Sequence, residues 1–578
     1  MGWLENVNRW NAYGQLDSDM KKQMSILDKH ELKNCFCENI EFGVGGMRGK
    51  IGPGPNRINT YSVRKVAEGL ARYIKTKNIY ACVRGVVIAY DTRYKSEDFA
   101  KEVARTLGVH GIPTFMFSKN RSTPELSFAV RYLQAYAGVM ISASSHSSPE
   151  YNGLKVYGPD GGQLTSPEVD ILMDQVNEVE DELKVKVVDI EELLHIKLLT
   201  ILDSDVDLAY LSELRKLVQN PPMIKKMADD ICIVYTSPIH ATTNILVKKA
   251  LEEIGFTNVH VLSEHKHLFP AFFIEGNPDA FSSIMNYGKK IKADVLLATD
   301  PGLGRLRAAI GKNIQGEYHL LTGNELGALL LQYLLTQKYK HGDLPKNSVL
   351  LKSIVASDIG REIAKKYSLR TIDTLKGFKY IGKKIKELEE SKDTSFLFGY
   401  EESYGYLISD FVRDKDAVQA SLLLAEAAAY YKSKGITVYD MLLQIFNEFG
   451  YYKESVKTIA IEERQGFHHI HEIISIFRKR IPLEWANNKV VIIEDYHRSE
   501  RVFLKENFLE YIDLPKATVL KYIFEDDSWF CLRPSSKDAK ITINFGVRGT
   551  SFKDSGDRLY ALQKFLLSIM DSYYKELV

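Results

Sequence analysis

Cysteine is scarce in this chain: five residues in 578 (Cys35, Cys37, Cys82, Cys232 and Cys531), an odd number with one close pair. That excludes a disulfide framework as the source of stability and fits a reducing compartment. A lone Cys35-x-Cys37 is a weak metal signal. An excess of either charge is also missing, with 76 Lys and Arg against 75 Asp and Glu and no basic run. Charge therefore makes no case for nucleic acid or an anionic membrane surface, and the expected partner is a small molecule. No apolar run approaches the roughly 20 residues of a membrane span, and the opening stretch MGWLENVNRWNAYGQ has no apolar secretion-signal core. A cytoplasmic protein is expected. Low-complexity tracts are absent as well.

What is present is ordinary globular material, 45% apolar and 26% charged. Its length exceeds what one core supports, so three or four domains are expected. Short β-branched runs alternate with helical patterns. GVVIAYDTR (85–93) precedes SEDFAKEVARTLGVHG, ICIVYTSP (231–238) precedes TTNILVKKALEEIG, and ADVLLATDPG (293–302) precedes TGNELGALLLQYLLTQ and the strand-like SVLLKSIVAS (348–357). The alternation predicts repeated α/β units with crossover helices. Ser96 and Thr322 stand where helix N-caps are expected, the latter three residues before Glu325. The Gly-free stretch 180–205 reads as helical, and 337–347 and 486–489 read as loops. From about residue 456 shorter strands and a terminal helix predict a smaller α+β domain.

In AGVMISASSHSSPEYNGLKVYGPDGGQ (137–163) a Gly-flanked strand runs into a Ser-rich turn with one His. A hydroxyl and an imidazole are thus presented together at a strand end, where α/β sites form. This stretch resembles the phosphoserine loop of the α-D-phosphohexomutases. The resemblance continues in order through EFGVGGMRGKIGPGPNRIN, GVVIAYDTRYKSEDFA, RSTPELSFAVR, TIDTLKGFKYIG, FGYEESYGYLISDFVRDKDAV and LRPSSKDAKITINF, and is closest to the phosphoglucomutase and phosphopentomutase branch.

The resemblance implies three similar mixed-sheet α/β domains (1–205, 206–318, 319–450) and a smaller C-terminal α+β domain (451–578) around a central cleft. It also implies a phosphorylated serine that exchanges its phosphoryl group with a sugar phosphate through a bisphosphate. Ser145, directly before His146, matches the phosphorylated serine, with Ser144 the alternative. Arg48 would face the phosphate, and Lys379 would carry charge near the reacting centre. Glu401 and Ser403 would grip sugar hydroxyls, and Arg533, Ser535, Ser536, Lys537 and Lys540 would hold the distal phosphate. Mg²⁺ and a sugar bisphosphate activator are implied too.

Two loops depart from the family pattern. The family sets three carboxylates at alternate positions to bind Mg²⁺; here Asp300 and Arg305 remain while Gly302 and Gly304 replace the other two ligands, leaving Asp300 and a phosphorylated Ser145 as candidate donors. The serine turn is one residue longer than usual and lacks its Pro. On these losses the sequence reading favours a member that binds a sugar phosphate but has lost most mutase activity, acting as regulator, scaffold or sensor with a possible protein partner. The alternative is an active phosphoglucomutase or phosphopentomutase, an intramolecular phosphotransferase of the isomerase class, with an atypical Mg²⁺ site. An unrelated Ser/His hydrolase is disfavoured, since no G-x-S-x-G elbow occurs.

Overall fold

The computed structural model describes residues 2–43, 45–143, 148–237, 242–262, 279–312, 316–460, 466–480, 484–485, 488–535 and 539–577. Strands gather into four sheets. The first has the order Phe42–Gly43, Gly46–Lys50, Tyr151–Tyr157, Ala137–Ile141, Val86–Tyr90, Thr114–Phe117, Leu199–Leu202, with the last four strands parallel and the first ones antiparallel. Both Val86–Tyr90 and Ala137–Ile141 are buried at every position, as expected of strands covered on both faces. Successive side chains take opposite faces. Val86, Ile88 and Tyr90 pack in one core with the helices Thr60–Lys77 and Ser96–Val109, while Val87 and Ala89 join a second core that continues through the next two units.

The second sheet runs Tyr318–Leu320, Leu306–Gly311, Val295–Thr299, Ile233–Thr236, Val259–Leu262, and the third Arg370–Thr374, Ser348–Ser353, Ser395–Glu401, Gly405–Leu407. Each mixes parallel and antiparallel pairs. Between them lies the helix Ala417–Ser433, buried from Ala417 to Tyr431. A helix apolar all round belongs in an interior, and this one packs against Pro221–Met227, Thr242–Glu253 and Gly323–His341. The fourth sheet is antiparallel throughout and is backed by the helices Gly466–Lys479 and Phe552–Leu577. It meets the third unit through a small apolar cluster, with Ile354, Val355 and Leu375 on one side and Tyr496, Val519 and Trp529 on the other.

The mixed α/β units with a smaller C-terminal sheet domain are the architecture the sequence implies. Several local expectations need correction. Residues 180–205 are not one helix: a short helix Ile190–His195 leads into the strand Leu199–Leu202, which pairs parallel with Thr114–Phe117. Ser96 does not cap its helix, because it is the first helical residue and its hydroxyl donates to Asp91 Oδ1 at 2.6 Å. Thr322 does cap, in a reciprocal capping box with Glu325. That helix runs on to His341, shortening the expected loop, and the final sheet begins at Tyr451 with a ten-residue strand. Residues 486–487 lie outside the described set, and Asn488–Lys489 open a strand rather than a loop.

Candidate active site

The strand Ala137–Ile141 leads into Ser142 and Ala143, which line a cleft. Ser144, Ser145 and His146 lie outside the described residues, but both ends of their turn are held. At the near end Ser142 Oγ donates to Asp91 Oδ2 at 2.7 Å, and its backbone N–H donates to Gly153 O at 3.0 Å. At the far end Arg93 Nη1 donates to the carbonyls of Ser148 (3.0 Å) and Tyr151 (3.2 Å). Asp91 ties the two ends together, accepting from Ser96, Ser142 and the Arg93 backbone. Its burial pushes the carboxyl up despite these donors. Arg48, exposed on Gly46–Lys50 opposite Gly153, stacks 5.7 Å from the Tyr151 ring and feels the charge of Arg93. Sequence reading did not single out Asp91 or Arg93, although both lie in the quoted strand segment.

The loop after Val295–Thr299 folds back on itself. Asp300 Oδ1 accepts the N–H groups of Gly304 (2.8 Å) and Arg305 (3.0 Å), and Leu303 is held at φ 49°. A branched residue in the left-handed region costs on the order of 1 kcal/mol or more and persists only where neighbours impose it. The neighbours here are in other units: Thr123 N–H donates to Gly302 O, and Ala417 N–H to Leu303 O. Arg305 bridges to Gly405 and Leu306 N–H donates to Tyr404 O, joining this loop to the turn after Ser395–Glu401. Tyr404 is likewise left-handed, at φ 66°. Each of the two linked loops thus holds one left-handed residue.

Glu401 ends Ser395–Glu401, 2% exposed, and its Oε1 accepts from Lys415 Nζ at 2.6 Å. Gly405 is required beside it, since a Cβ there would stand 2.8 Å from that carboxylate. Glu402 pairs with Lys376 at 2.6 Å; burial works against ionisation, but Lys376 and then Arg533 hold its carboxyl below the usual range. Ser403 is half-buried alongside. Lys379, in the first turn of Phe378–Ser391, is pushed down to about 8 by burial and by the charge of Lys155. Arg533 donates to Asn544 Oδ1 at 3.0 Å on the hairpin formed by Trp529–Pro534 and Lys540–Gly549. At its end Ser535 N–H donates to Lys540 O. Ser536 and Lys537 lie outside the described residues, and Lys540 is exposed.

The segment 411–417 locks the units together. Tyr157 donates to Asp414 (3.0 Å), Tyr210 donates to Asp416 (2.6 Å), and Arg413 N–H donates to Ser127 Oγ (2.8 Å). Beside it a cleft of about 90 Å³ is lined by Ser142, Ala143, Lys155, Asp300, Arg305 and Lys415. Residues of the first unit, the Asp300 loop and the junction segment thus line one space, with Glu401 bonded to Lys415 at its side and Arg533 close enough to Glu402 to act on its charge.

Family models for phosphoglucomutase/phosphomannomutase match in order: the alpha/beta/alpha domain I at residues 39–183, domain II at 209–313 and domain III at 322–449. The chain belongs to the α-D-phosphohexomutase family. This phosphohexomutase is 34% identical to a phosphoglucomutase of Staphylococcus haemolyticus over 91% of its own length and 93% of that protein. It is 32% identical to a Staphylococcus aureus phosphoglucomutase over 97% of both. Its fold is that of parafusin, a Paramecium phosphoglucomutase (TM-score 0.67, 17% identity, 92% and 95% of the two chains). A phosphoglucomutase/phosphomannomutase family protein of Burkholderia thailandensis is also similar (TM-score 0.63, 14% identity, 91% and 97%).

For the Mg²⁺ that the family implies, the described residues of the phosphohexomutase offer two carboxylates on this cleft, Asp300 and Asp414. Asp300 is the carboxylate of its own loop, one of its oxygens accepts two N–H groups, and Lys155, Lys415 and Arg305 line the same cleft. Space alone is not the obstacle at Gly302, where a Cβ would make ordinary contact with Thr123. At Gly304 a Cβ would meet the Lys415 stem at 3.3 Å. Neither Lys155 nor Lys415 was singled out from the sequence. Each is an isolated cation within a matched segment, and only the meeting of three units brings them together.

Proposed function

We propose that the chain is a phosphoglucomutase-type intramolecular phosphotransferase acting in the cytoplasm on a sugar phosphate. The observation that carries this is that Ser142 and Ala143, at the near end of the serine segment, line one cleft with Asp300, Arg305 and Lys415, and that Lys415 is bonded to Glu401. The phosphoglucomutase relatives, which the chain matches over nearly its whole length, support it, and all five cysteines are free. In this reading Ser145, or Ser144, carries the phosphoryl group beside His146, and Arg48 and Lys379 supply positive charge. Glu401 and Ser403 accept and donate hydrogen bonds to sugar hydroxyls. Arg533, Ser535, Ser536, Lys537 and Lys540 hold the distal phosphate, so that a bisphosphate can reorient between two fixed anion sites. The units 1–205, 319–450 and 451–578 contribute these groups, and 206–318 contributes Asp300 and Arg305 to the cleft.

A second reading, loss of turnover with retention of sugar-phosphate binding, rests on Gly302 and Gly304 and on the engagement of Glu401 by Lys415. The relatives give it no support. Conversion of glucose 1-phosphate to glucose 6-phosphate by the purified protein, primed with glucose 1,6-bisphosphate, decides between them. The proposal expects turnover that drops on the order of a thousandfold or more in Ser145→Ala or Ser144→Ala. A rate equal in wild type and both variants contradicts it.

A further inference from the structure

Lys415 stands where three units meet on one side chain. Its backbone N–H donates to Asp414 Oδ1 at 2.8 Å, and the other oxygen of that carboxylate accepts from Tyr157 of the first sheet. Its stem then passes between two glycines. A Cβ at Gly304, on the Asp300 loop of the second unit, would lie 3.3 Å from Cγ and 3.4 Å from Cε, and a Cβ at Gly405, in the third unit, would lie 2.8 Å from Cδ. Arg305 and Gly405 form a β-bridge, so the two walls of this channel are tied to each other. The stem ends with Nζ 2.6 Å from Oε1 of Glu401, whose side chain is almost wholly buried.

A lysine is ordinarily a point charge on a flexible four-carbon stem. Here an anchored backbone and a channel between two glycines give the ammonium one direction. Its charge-assisted hydrogen bond settles which oxygen of Glu401 is engaged. Among the described residues Oε1 has the donor, which leaves Oε2 as the acceptor that Glu401 can offer to a ligand hydroxyl. The same geometry accounts for two bare positions. A side chain at Gly405 would strike both members of the ion pair, and one at Gly304 would press on the stem.

We propose that Lys415 is a positioning residue that sets the Glu401 carboxylate for a sugar hydroxyl. Because its own place is defined by the first, second and third units together, the grip on the sugar forms only where those units are docked. This role rests on the proposed reading of Glu401 as a sugar contact. Lys415 acts in it through Glu401 and not on the phosphate, so its loss costs hydroxyl recognition and spares phosphate recognition.

The test is calorimetric titration of the full chain with glucose 1-phosphate and, separately, with inorganic phosphate, for wild type, Lys415→Met, Glu401→Gln and the double variant. Lys415→Met should weaken glucose 1-phosphate binding by more than about tenfold while inorganic phosphate stays within about twofold. Glu401→Gln should do the same, and the double variant should fall no more than about twofold below either single one, since both changes remove one grip. Breaking a buried pair leaves a charge without its partner, so the melting of each variant is followed. Should Lys415→Met fail to fold, Gly304→Val, which only displaces the stem, should still weaken glucose 1-phosphate by more than about threefold with inorganic phosphate unchanged. Penalties that multiply in the double variant, an equal loss for both ligands, or a Gly304→Val protein that binds glucose 1-phosphate like wild type each overturn the inference and leave the sugar-phosphate reading standing. Wild type that fails to bind glucose 1-phosphate overturns that reading, and the inference with it.

Discussion

At the scale of single residues, the cleft is a set of charges whose positions matter more than their number. Lys379 shows this most directly. Burial and the nearby charge of Lys155 push its ammonium down to about 8, so it is charged below that pH and loses its proton above it, far short of the ordinary lysine value. Phosphate esters are already fully ionised there, with a second pKa near 6. Sugar-phosphate affinity is therefore expected to fall as pH rises through about 8, and Lys379→Arg to flatten that fall; titration calorimetry from pH 6.5 to 9.5 would measure both. Asp91 is a positioning residue rather than a contact residue. Its replacement by Ala leaves Ser96 and Ser142 hydroxyls and Arg93 without their acceptor, at a cost of roughly 2–4 kcal/mol in denaturant unfolding. The serine turn should loosen with it, seen as a fall in phosphoryl incorporation larger than the loss of affinity.

At the scale of elements, the helix Ala417–Ser433 is the piece on which the three α/β units agree. Its Glu426, 1% exposed, accepts the backbone N–H groups of Gln219 and Asn220 at the start of Pro221–Met227. Burial pushes this carboxyl up to about 7 in spite of those donors. A folded-state pKa raised above the unfolded one stabilises the fold fully below pH 4.5 and loses that contribution as pH rises through 7. Melting temperature should accordingly climb as pH falls from 8 to 5.5, and Glu426→Gln should remove part of that slope, on the order of 2–3 kcal/mol in all.

Elements were also where sequence patterns spoke most clearly. The buried runs VVIAY and AGVMI and the alternation of strand with amphipathic helix are local properties, and the Thr322–Glu325 capping box is written within four residues. Ser96 misled because a cap and a buried hydroxyl donor use the same residue type; Asp91, five positions earlier, claims its oxygen. The strand Leu199–Leu202 was read as helix because acidic and leucine-rich composition carries no mark of the parallel neighbour that pairs with it. The segments around Glu401–Ser403 and Arg533–Lys540 stand out in the sequence as contiguous motifs. Lys155, Lys415 and Lys376 do not, since each acquires its meaning only from partners more than ten residues away or in another unit.

At the scale of the whole molecule, the fourth sheet is attached differently from the other three units. A continuous core runs from the first sheet through the second and third; the fourth meets it at Tyr451 and Tyr452 and at the Phe446–Phe552 ring contact, and meets the third unit again through the cluster of Ile354, Val355, Leu375, Tyr496, Val519 and Trp529. Lys521 braces that contact by donating to Ile354 O at 2.8 Å and lying over the Trp529 ring. Truncating Trp529 to Ala should cost about 3–5 kcal/mol, concentrated on the fourth sheet. Hydrogen exchange should rise in Tyr451–Ala460 and Lys540–Gly549 before it rises in Val86–Tyr90. Because Arg533 acts on Glu402 across this junction, KM for the sugar phosphate should increase more than kcat falls.

The account stands or falls on whether a serine of this chain accepts a phosphoryl group. The most direct measurement is phosphosite mapping of the intact protein after incubation with glucose 1,6-bisphosphate. One phosphoryl group on Ser145 or Ser144, discharged on addition of glucose 1-phosphate, is the predicted result. A folded protein that binds the bisphosphate yet carries no phosphate on either serine would contradict it.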